Sequence, residues 1–222
     1  MVYPLIKNFF MTVAVLKKEE DILSEINNNT PIIIYRNFLN KKICKEIVNI
    51  CHSNFSLIRN KYLNFSRIDV LPPKVKTKRI FRTFELSNYF INKFTKIKNL
   101  KNFQKKIFKV QNKRKIYSKF QVIHYPIGGG FFGEHCHPRY PTNYGLIITL
   151  TEINSDFKKC STVFKVNKKN INLEKYNISI GDLVLFRYDL PHFVTTCDPK
   201  KDLTFNKKGK WNLILPIHYK KF

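Results

Sequence analysis

The feature that most constrains this chain is the succession of short β-branched and aromatic runs that fills its second half. Runs rich in Val, Ile, Phe, Tyr and Thr occupy 118–125, 131–138, 145–152, 161–166, 178–180, 181–188, 192–197 and 211–219. Turn-forming residues separate them at a spacing typical of all-β sandwiches and barrels. Gly128-Gly129-Gly130 joins the first two runs, and three successive glycines supply the positive backbone angles that a hairpin turn needs. Seven or eight such strands behind a helical portion predict an α+β chain. Its core over 116–222 is expected to be a double-stranded β-helix, jelly-roll or cupin-like, supported by an N-terminal strand and helices over 1–115. A chain of 222 residues fits a single domain, since folding at this size buries roughly 70% of the unfolded surface.

In the first half, Pro31-Ile32-Ile33-Ile34-Tyr35 is a short β-branched run. Asn40 then stands as an N-cap before Ile43, Cys44, Ile47, Val48 and Cys51, whose spacings of three and four form one apolar helical stripe. From about 86 to 108, Tyr89, Phe90, Phe94, Ile97, Leu100, Phe103 and Ile107 predict one amphipathic helix or two short ones. The intervening 54–84, with Leu71-Pro72-Pro73 and the basic stretch from Lys74 to Arg79, reads as an irregular connection.

Charge narrows the range of partners. The chain carries 41 Lys plus Arg against 15 Asp plus Glu, a net +26. Hydrophobic content of 43% and aromatic content of 14% exceed those of a disordered basic tail. Only eight of the cations are Arg, and the rest accompany abundant Asn and Ile, a mixture that AT-rich coding produces without selection for phosphate recognition. No helix-turn-helix, zinc finger or RNA-stacking signature is present, so specific nucleic-acid binding is not expected. The five cysteines are odd in number and form no CxxC pair, which predicts free thiols and a cytoplasmic location. The apolar run over 8–16 is interrupted by polar residues, and no stretch approaches the ~20 apolar residues that span a bilayer. No membrane partner is expected, and nothing in the sequence sets the oligomeric state.

Three of the six histidines carry the chemistry. His135 and His137 are separated by one residue in a strand-like segment, so both rings project from one face. His192 follows Asp189-Leu190-Pro191, past the Gly181-Asp182 turn. An i, i+2 pair plus a distant histidine on another strand can assemble a three-ligand metal site at a barrel mouth with coordination positions left open. Neutral imidazoles suit iron, copper, zinc or nickel, so the spacing does not select the metal.

The succession Val122-Ile123-His124-Tyr125-Pro126-Ile127-Gly128-Gly129-Gly130-Phe131-Phe132-Gly133-Glu134-His135-Cys136-His137-Pro138, then Gly181-Asp182-Leu183-Val184-Leu185-Phe186 with His192, and finally Gly209-Lys210-Trp211-Asn212-Leu213, resembles the iron(II)- and 2-oxoglutarate-dependent oxygenase superfamily. The likeness covers roughly 119–219, and 30–39 with the following helix is similar to the elements that precede the barrel in its hydroxylases. The resemblance implies Fe(II) held by His135, His137 and His192, with 2-oxoglutarate as cosubstrate. His137 stands where the family normally has Asp or Glu, which raises the net charge of the site by one unit. Lys210 and Asn212 stand where the family has Arg-x-Ser or Arg-x-Thr, with Lys210 facing the distal carboxylate of the cosubstrate as a point charge. Tyr125 and Gln121, one strand earlier, are in reach of the cosubstrate, and Arg139, Tyr140, Asn143 and Arg187 stand as substrate contacts.

The expected function is therefore a dioxygenase that hydroxylates a small polar molecule, such as an amino acid or related metabolite. Two alternatives stay open at this point: a three-histidine, cupin-like metal dioxygenase independent of 2-oxoglutarate, and a non-catalytic basic barrel that binds nucleic acid.

Overall fold

The computed structural model describes residues 12–55, 60–71, 78–107, 116–138 and 143–219. The first half gives β1 (Val13–Leu16), α1 (Asp21–Asn27), β2 (Ile32–Tyr35), α2 (Lys41–Ser53), β3 (Leu63–Leu71), β4 (Arg79–Leu86), α3 (Asn88–Ile91) and α4 (Thr95–Ile107). The second half gives β5 (Ile116–Ser118), β6 (Gln121–Pro126), β7 (Phe131–His135), β8 (Tyr144–Thr149), β9 (Thr162–Val166), β10 (Lys169–Asn172), β11 (Leu183–Arg187), β12 (His192–Val194), β13 (Gly209–Ile214) and β14 (Ile217–Tyr219). Asn40 caps α2 as expected, its side chain accepting a hydrogen bond from Ile43 N at 2.9 Å. No helix among the described residues is long and apolar enough to cross a membrane.

The strand order explains the barrel. β11, β8, β13 and β6 form one layer, and β7, β12, β9 and β10 form the other. From β6 onward the chain passes back and forth between the two layers, which is the double-stranded β-helix. β2 and β1 extend the first layer beyond β11. β4 joins the layers: it pairs with β6 through 82–85 and with β7 through Arg79 and Ile80, so the two become one curled sheet.

Strand alternation divides the core between two sides of the first layer. On β2, Ile33 packs against helix residues such as Cys44 and Ile47, whereas Ile32 and Ile34 pack between the layers with Phe164, Val184 and Phe186. On β13, Trp211 and Leu213 join the helix side. Lys210 and Asn212 face the other way, into the barrel. A fully buried side chain of this size contributes about 1.5–3 kcal/mol.

Several expectations change. Gly128 adopts φ +81°, but β6 and β7 do not pair with each other, so the glycine turn carries the chain between layers and forms no hairpin. Gly128 N and Cys197 N instead exchange hydrogen bonds with Cys197 O and Gly130 O, which fastens the turn to the segment after β12. The predicted connection over 54–84 is largely the β3–β4 hairpin, with residues 56–59 and 72–77 outside the described set. Its pattern does not signal a strand, because in β3 the apolar Ile68 and Val70 are exposed while the polar Ser66 and Asp69 are buried. The run at 178–180 is not a strand; β10 and a 3-10 turn at Leu173–Tyr176 precede it. The run at 211–219 breaks in two, giving β13 and β14, and β5 precedes the run at 118–125 that forms β6.

The Gly181-Asp182 turn is a structural anchor. Gly181 adopts φ +91°, and a Cβ there would lie 1.9 Å from Leu39 O. Buried Asp182 accepts hydrogen bonds from Asn37 N and Ser179 N at 3.0 Å, and pairs with Arg36 at 2.6 Å. Three donors from two segments thus converge on one carboxylate. Asp182→Ala is expected to destabilise the protein by about 2–4 kcal/mol, read as the shift of a urea unfolding transition.

Candidate metal centre and its cavity

The three histidines meet at the open end of the barrel. β12 pairs with β7 so that His192 lies directly opposite His135. Beyond the end of β7, His137 N donates to Tyr188 O at 2.9 Å, which turns its ring inward beside the pair. One ligand atom from each ring lies within 4.8 Å of the others. Ring centroids are 4.2 Å apart for His135 and His192, 5.0 Å for His135 and His137, and 5.3 Å for His137 and His192.

Backbone carbonyls select the tautomers. His135 Nδ1 bonds Gly133 O at 2.9 Å, and His192 Nδ1 bonds Leu190 O at 2.8 Å. A carbonyl only accepts, so each Nδ1 carries the proton and each Nε2 keeps a free lone pair. Stacking fixes the ring planes: His135 lies on Phe132 at 4.0 Å, and His137 lies on Tyr188 at 4.4 Å. Burial pushes His137 down to about 4 and His192 down to about 3, with the neighbouring imidazoles acting in the same direction. His135 is lowered as well, by burial first. Three neutral rings are thereby ready as ligands at neutral pH, the donor set that suits iron and its neighbours.

The rings line a cavity of about 240 Å³ between the two layers. Its walls are largely apolar and aromatic, with Phe81, Ile123, Phe186 and Val194 among them. A smaller space of about 30 Å³ adjoins it across Ile147, Thr162 and Asn212, which line both. Lys210 lies in this inner space, 7% exposed, and donates to Thr162 Oγ1 at 2.8 Å and Cys160 O at 3.3 Å. Burial lowers its pKa, and it forms no salt bridge among the described residues. Beside it, Asn212 Oδ1 is buried without a hydrogen-bond partner among the described residues. The inner space thus holds a buried cation that forms no salt bridge, although Glu174, which lines the same space, acts to raise its pKa, and an amide oxygen without a partner among the described residues.

The sequence-predicted residues divide. His135, His137, His192, Tyr125, Gln121 and Asn212 line the cavity, and Lys210 lies behind Asn212. Burial pushes the Tyr125 hydroxyl upward, so it stays a neutral donor. Arg187 does not line the cavity; it forms a two-pronged pair with Asp189 at 3.1 and 3.2 Å. Asn143 is exposed, and its carbonyl accepts from Tyr188 N, which makes it a backbone support for the residue stacked on His137. Arg139 and Tyr140 lie outside the described residues. Glu134 and Cys136 point away from the site, as strand alternation requires, and Glu134 pairs with Lys165. Sequence reasoning missed Arg67, Arg79, Phe81 and Thr83, which the β3–β4 hairpin brings to the cavity wall. The alternation Arg79-x-Phe81-x-Thr83 was the available signal.

No protein-family model matches the chain, and no curated protein matches its sequence significantly. Solved structures do match its fold. A 2OG-Fe(II) oxygenase family oxidoreductase from Burkholderia pseudomallei is 10% identical, with 92% of this chain and 94% of that one covered at a TM-score of 0.53. A Pseudomonas putida prolyl-4-hydroxylase is 13% identical, with 90% and 97% covered at the same TM-score. A Trichoplax adhaerens prolyl hydroxylase, solved in complex with a hypoxia inducible factor peptide fragment, is 14% identical, with 90% and 87% covered, again at 0.53. The chain therefore has the double-stranded β-helix fold of the 2OG-Fe(II) oxygenases, with a His-x-His cluster at its open end.

Proposed function

We propose that the protein is a non-haem Fe(II)- and 2-oxoglutarate-dependent oxygenase that hydroxylates a small molecule. The observation that carries this reading is the pairing of two groups in adjoining spaces: three convergent imidazoles, and behind them a buried lysine that forms no salt bridge among the described residues. His135, His137 and His192 would hold the iron through Nε2 where Nδ1 is already bonded to backbone. When bound, Fe(II) with a 2-oxo acid couples decarboxylation of that acid to insertion of one oxygen atom into a C–H bond. The balance is one dioxygen, one 2-oxoglutarate and one substrate giving succinate, carbon dioxide and hydroxylated substrate.

The chain's own residues supply position and electrostatics. Lys210 offers a positive charge at the inner end, and an arriving carboxylate would offset the burial that now lowers its pKa. Thr162 lines both the inner space and the histidine cavity, and Tyr125 lines the latter. The apolar walls exclude water and so strengthen each polar contact made inside. The alternative that dispenses with 2-oxoglutarate gives buried Lys210 no anionic ligand to receive.

With Fe(II), the purified protein is expected to convert 2-oxoglutarate to succinate. Lys210→Ala should raise the Michaelis constant for 2-oxoglutarate about 10- to 100-fold, the value of one charge-assisted hydrogen bond. Oxygen uptake that survives this substitution and ignores added 2-oxoglutarate would instead support the three-histidine cupin-like enzyme. His137→Ala should weaken anaerobic Fe(II) binding at least about tenfold, whereas His137→Asp should retain it. Equal iron binding in His137→Ala would replace the three-ligand site by two histidines and an open position.

A further inference from the structure

The β3–β4 wall of the cavity carries charge that neither the three histidines nor Lys210 accounts for. Cross-strand pairing sets Arg67 opposite Thr83 and Asp69 opposite Phe81, with Arg79 two residues before Phe81, so one face of the hairpin presents the side chains of Arg67, Asp69, Arg79, Phe81 and Thr83 together. Arg67, Arg79, Phe81 and Thr83 line the same cavity as the histidines. Asp69, 8% exposed, is the one carboxylate among them. It accepts from Arg67 Nε at 3.0 Å, from Thr83 Oγ1 at 3.2 Å and from Arg79 Nη2 at 3.3 Å. Two guanidiniums thus share one anion, and a net positive charge is left over.

The surplus is concentrated on Arg79. Its contact with Asp69 is single and long, and its Nε is buried with no hydrogen-bond partner among the described residues. Its guanidinium lies over the rings of Phe81 at 5.3 Å and Phe132 at 5.8 Å. Phe132 in turn stacks on His135. The aromatic contacts hold the guanidinium plane in place, one ring away from the metal centre. A guanidinium held by aromatic rings on the wall of an apolar chamber is a receptor for a planar anion on an apolar body.

We propose that the substrate is a small carboxylic acid with an apolar body, its carboxylate received by Arg79 with Arg67 beside it, and its C–H bond presented to the histidines across Phe132. This rests on the oxygenase reading above and deepens it by naming the substrate class. The two carboxylates of the reaction then have separate cations: the cosubstrate's is held by Lys210 on β13, and the substrate's by the hairpin. Arg79 is a binding residue that sets specificity.

The test uses the full chain, loaded anaerobically with Fe(II) and 2-oxoglutarate and titrated calorimetrically with hexanoate and phenylacetate, and with hexanamide and phenylacetamide as neutral counterparts. Each acid is expected to bind about tenfold or more tightly than its amide. Arg79→Gln should bring that ratio close to one, and Arg79→Lys should keep part of it. Arg67→Gln, altering a more exposed side chain, should reduce the ratio less and serves if Arg79→Gln does not fold, which thermal unfolding reports. No preference for the acids, binding of none of the four probes, or an unchanged ratio in Arg79→Gln would overturn the proposal. So would a loss of 2-oxoglutarate affinity in Arg79→Gln larger than in Lys210→Ala, because the guanidinium would then belong to the cosubstrate. Conversion of 2-oxoglutarate to succinate by the unaltered protein, without probe, tests the oxygenase reading separately. Its absence alongside an Arg79-dependent acid preference would sink that reading and leave the anion site standing.

Discussion

The architecture depends on one buried polar contact, between Arg82 of β4 and His124 of β6. Arg82 is 2% exposed and approaches His124 Nδ1 through Nε at 3.0 Å and Nη2 at 2.8 Å. The other ring nitrogen, Nε2, bonds Lys208 O at 2.8 Å. Since a carbonyl only accepts and a guanidinium only donates, these partners specify a neutral imidazole with its proton on Nε2. Burial and the adjacent cation both push His124 well below the usual imidazole range, in agreement. Burial lowers Arg82 to about 10, so it stays charged at neutral pH. It finds its compensation in Asn206 O at 3.1 Å and in the faces of Phe55, Phe84, Phe205 and Trp211. Trp211 then stacks on His124 at 4.0 Å, tying β13 to the same knot.

That knot sets what the cavity can hold. β4, β6 and β13 lie side by side, and fixing Arg82, His124 and Trp211 on the helix side forces their neighbours to the other face. Thr83, Ile123, Lys210 and Asn212 are those neighbours. Gly209 permits the start of β13: at φ +126°, a Cβ there would meet Tyr125 O at 2.2 Å and His124 Nε2 at 2.8 Å. The lysine therefore enters the barrel only because the strand begins on a residue without a side chain. A one-residue slip of β13 would place Trp211 in the cavity and Lys210 among the helices, at a cost that burying both a bulky ring and an unpaired cation in the wrong surroundings makes prohibitive.

The second-half strands and the histidine trio were legible because both rest on local periodicity. The i, i+2 spacing of His135 and His137 survives any folding that leaves the segment extended, and Asn40 caps α2 through its own side chain. The β3–β4 hairpin was not legible, because its residues answer to partners far along the chain. Arg82 looks like a surface residue until Phe55, His124 and Trp211 enclose it. Arg79 belonged, in the sequence, to a basic stretch that composition explained. Its distinction lies in a contact with Asp69 ten residues earlier and in the ring of Phe132, on a different strand. The glycine turn failed as a hairpin for a related reason: glycines permit a reversal, but the pairing partners of β6 and β7 decide where the reversal leads.

The net charge of +26 acquires a site-level meaning only where burial removes water from around it. Lys210 is the buried lysine among the described residues, and Arg82 is sealed within its aromatic enclosure, away from any ligand. Arg67 and Arg79 are the cations that share the histidine cavity, with Asp69 to offset one of them. His137 adds no negative charge where a carboxylate would have cancelled one, and its ring is held neutral by burial. A divalent cation bound there would add to the positive charge of Arg67, Arg79 and Lys210, which among the described residues Asp69 and Glu174 offset only in part. On the proposed reading the balancing anions come from what binds: one carboxylate for Lys210, and a second for the Arg79 guanidinium on the cavity wall.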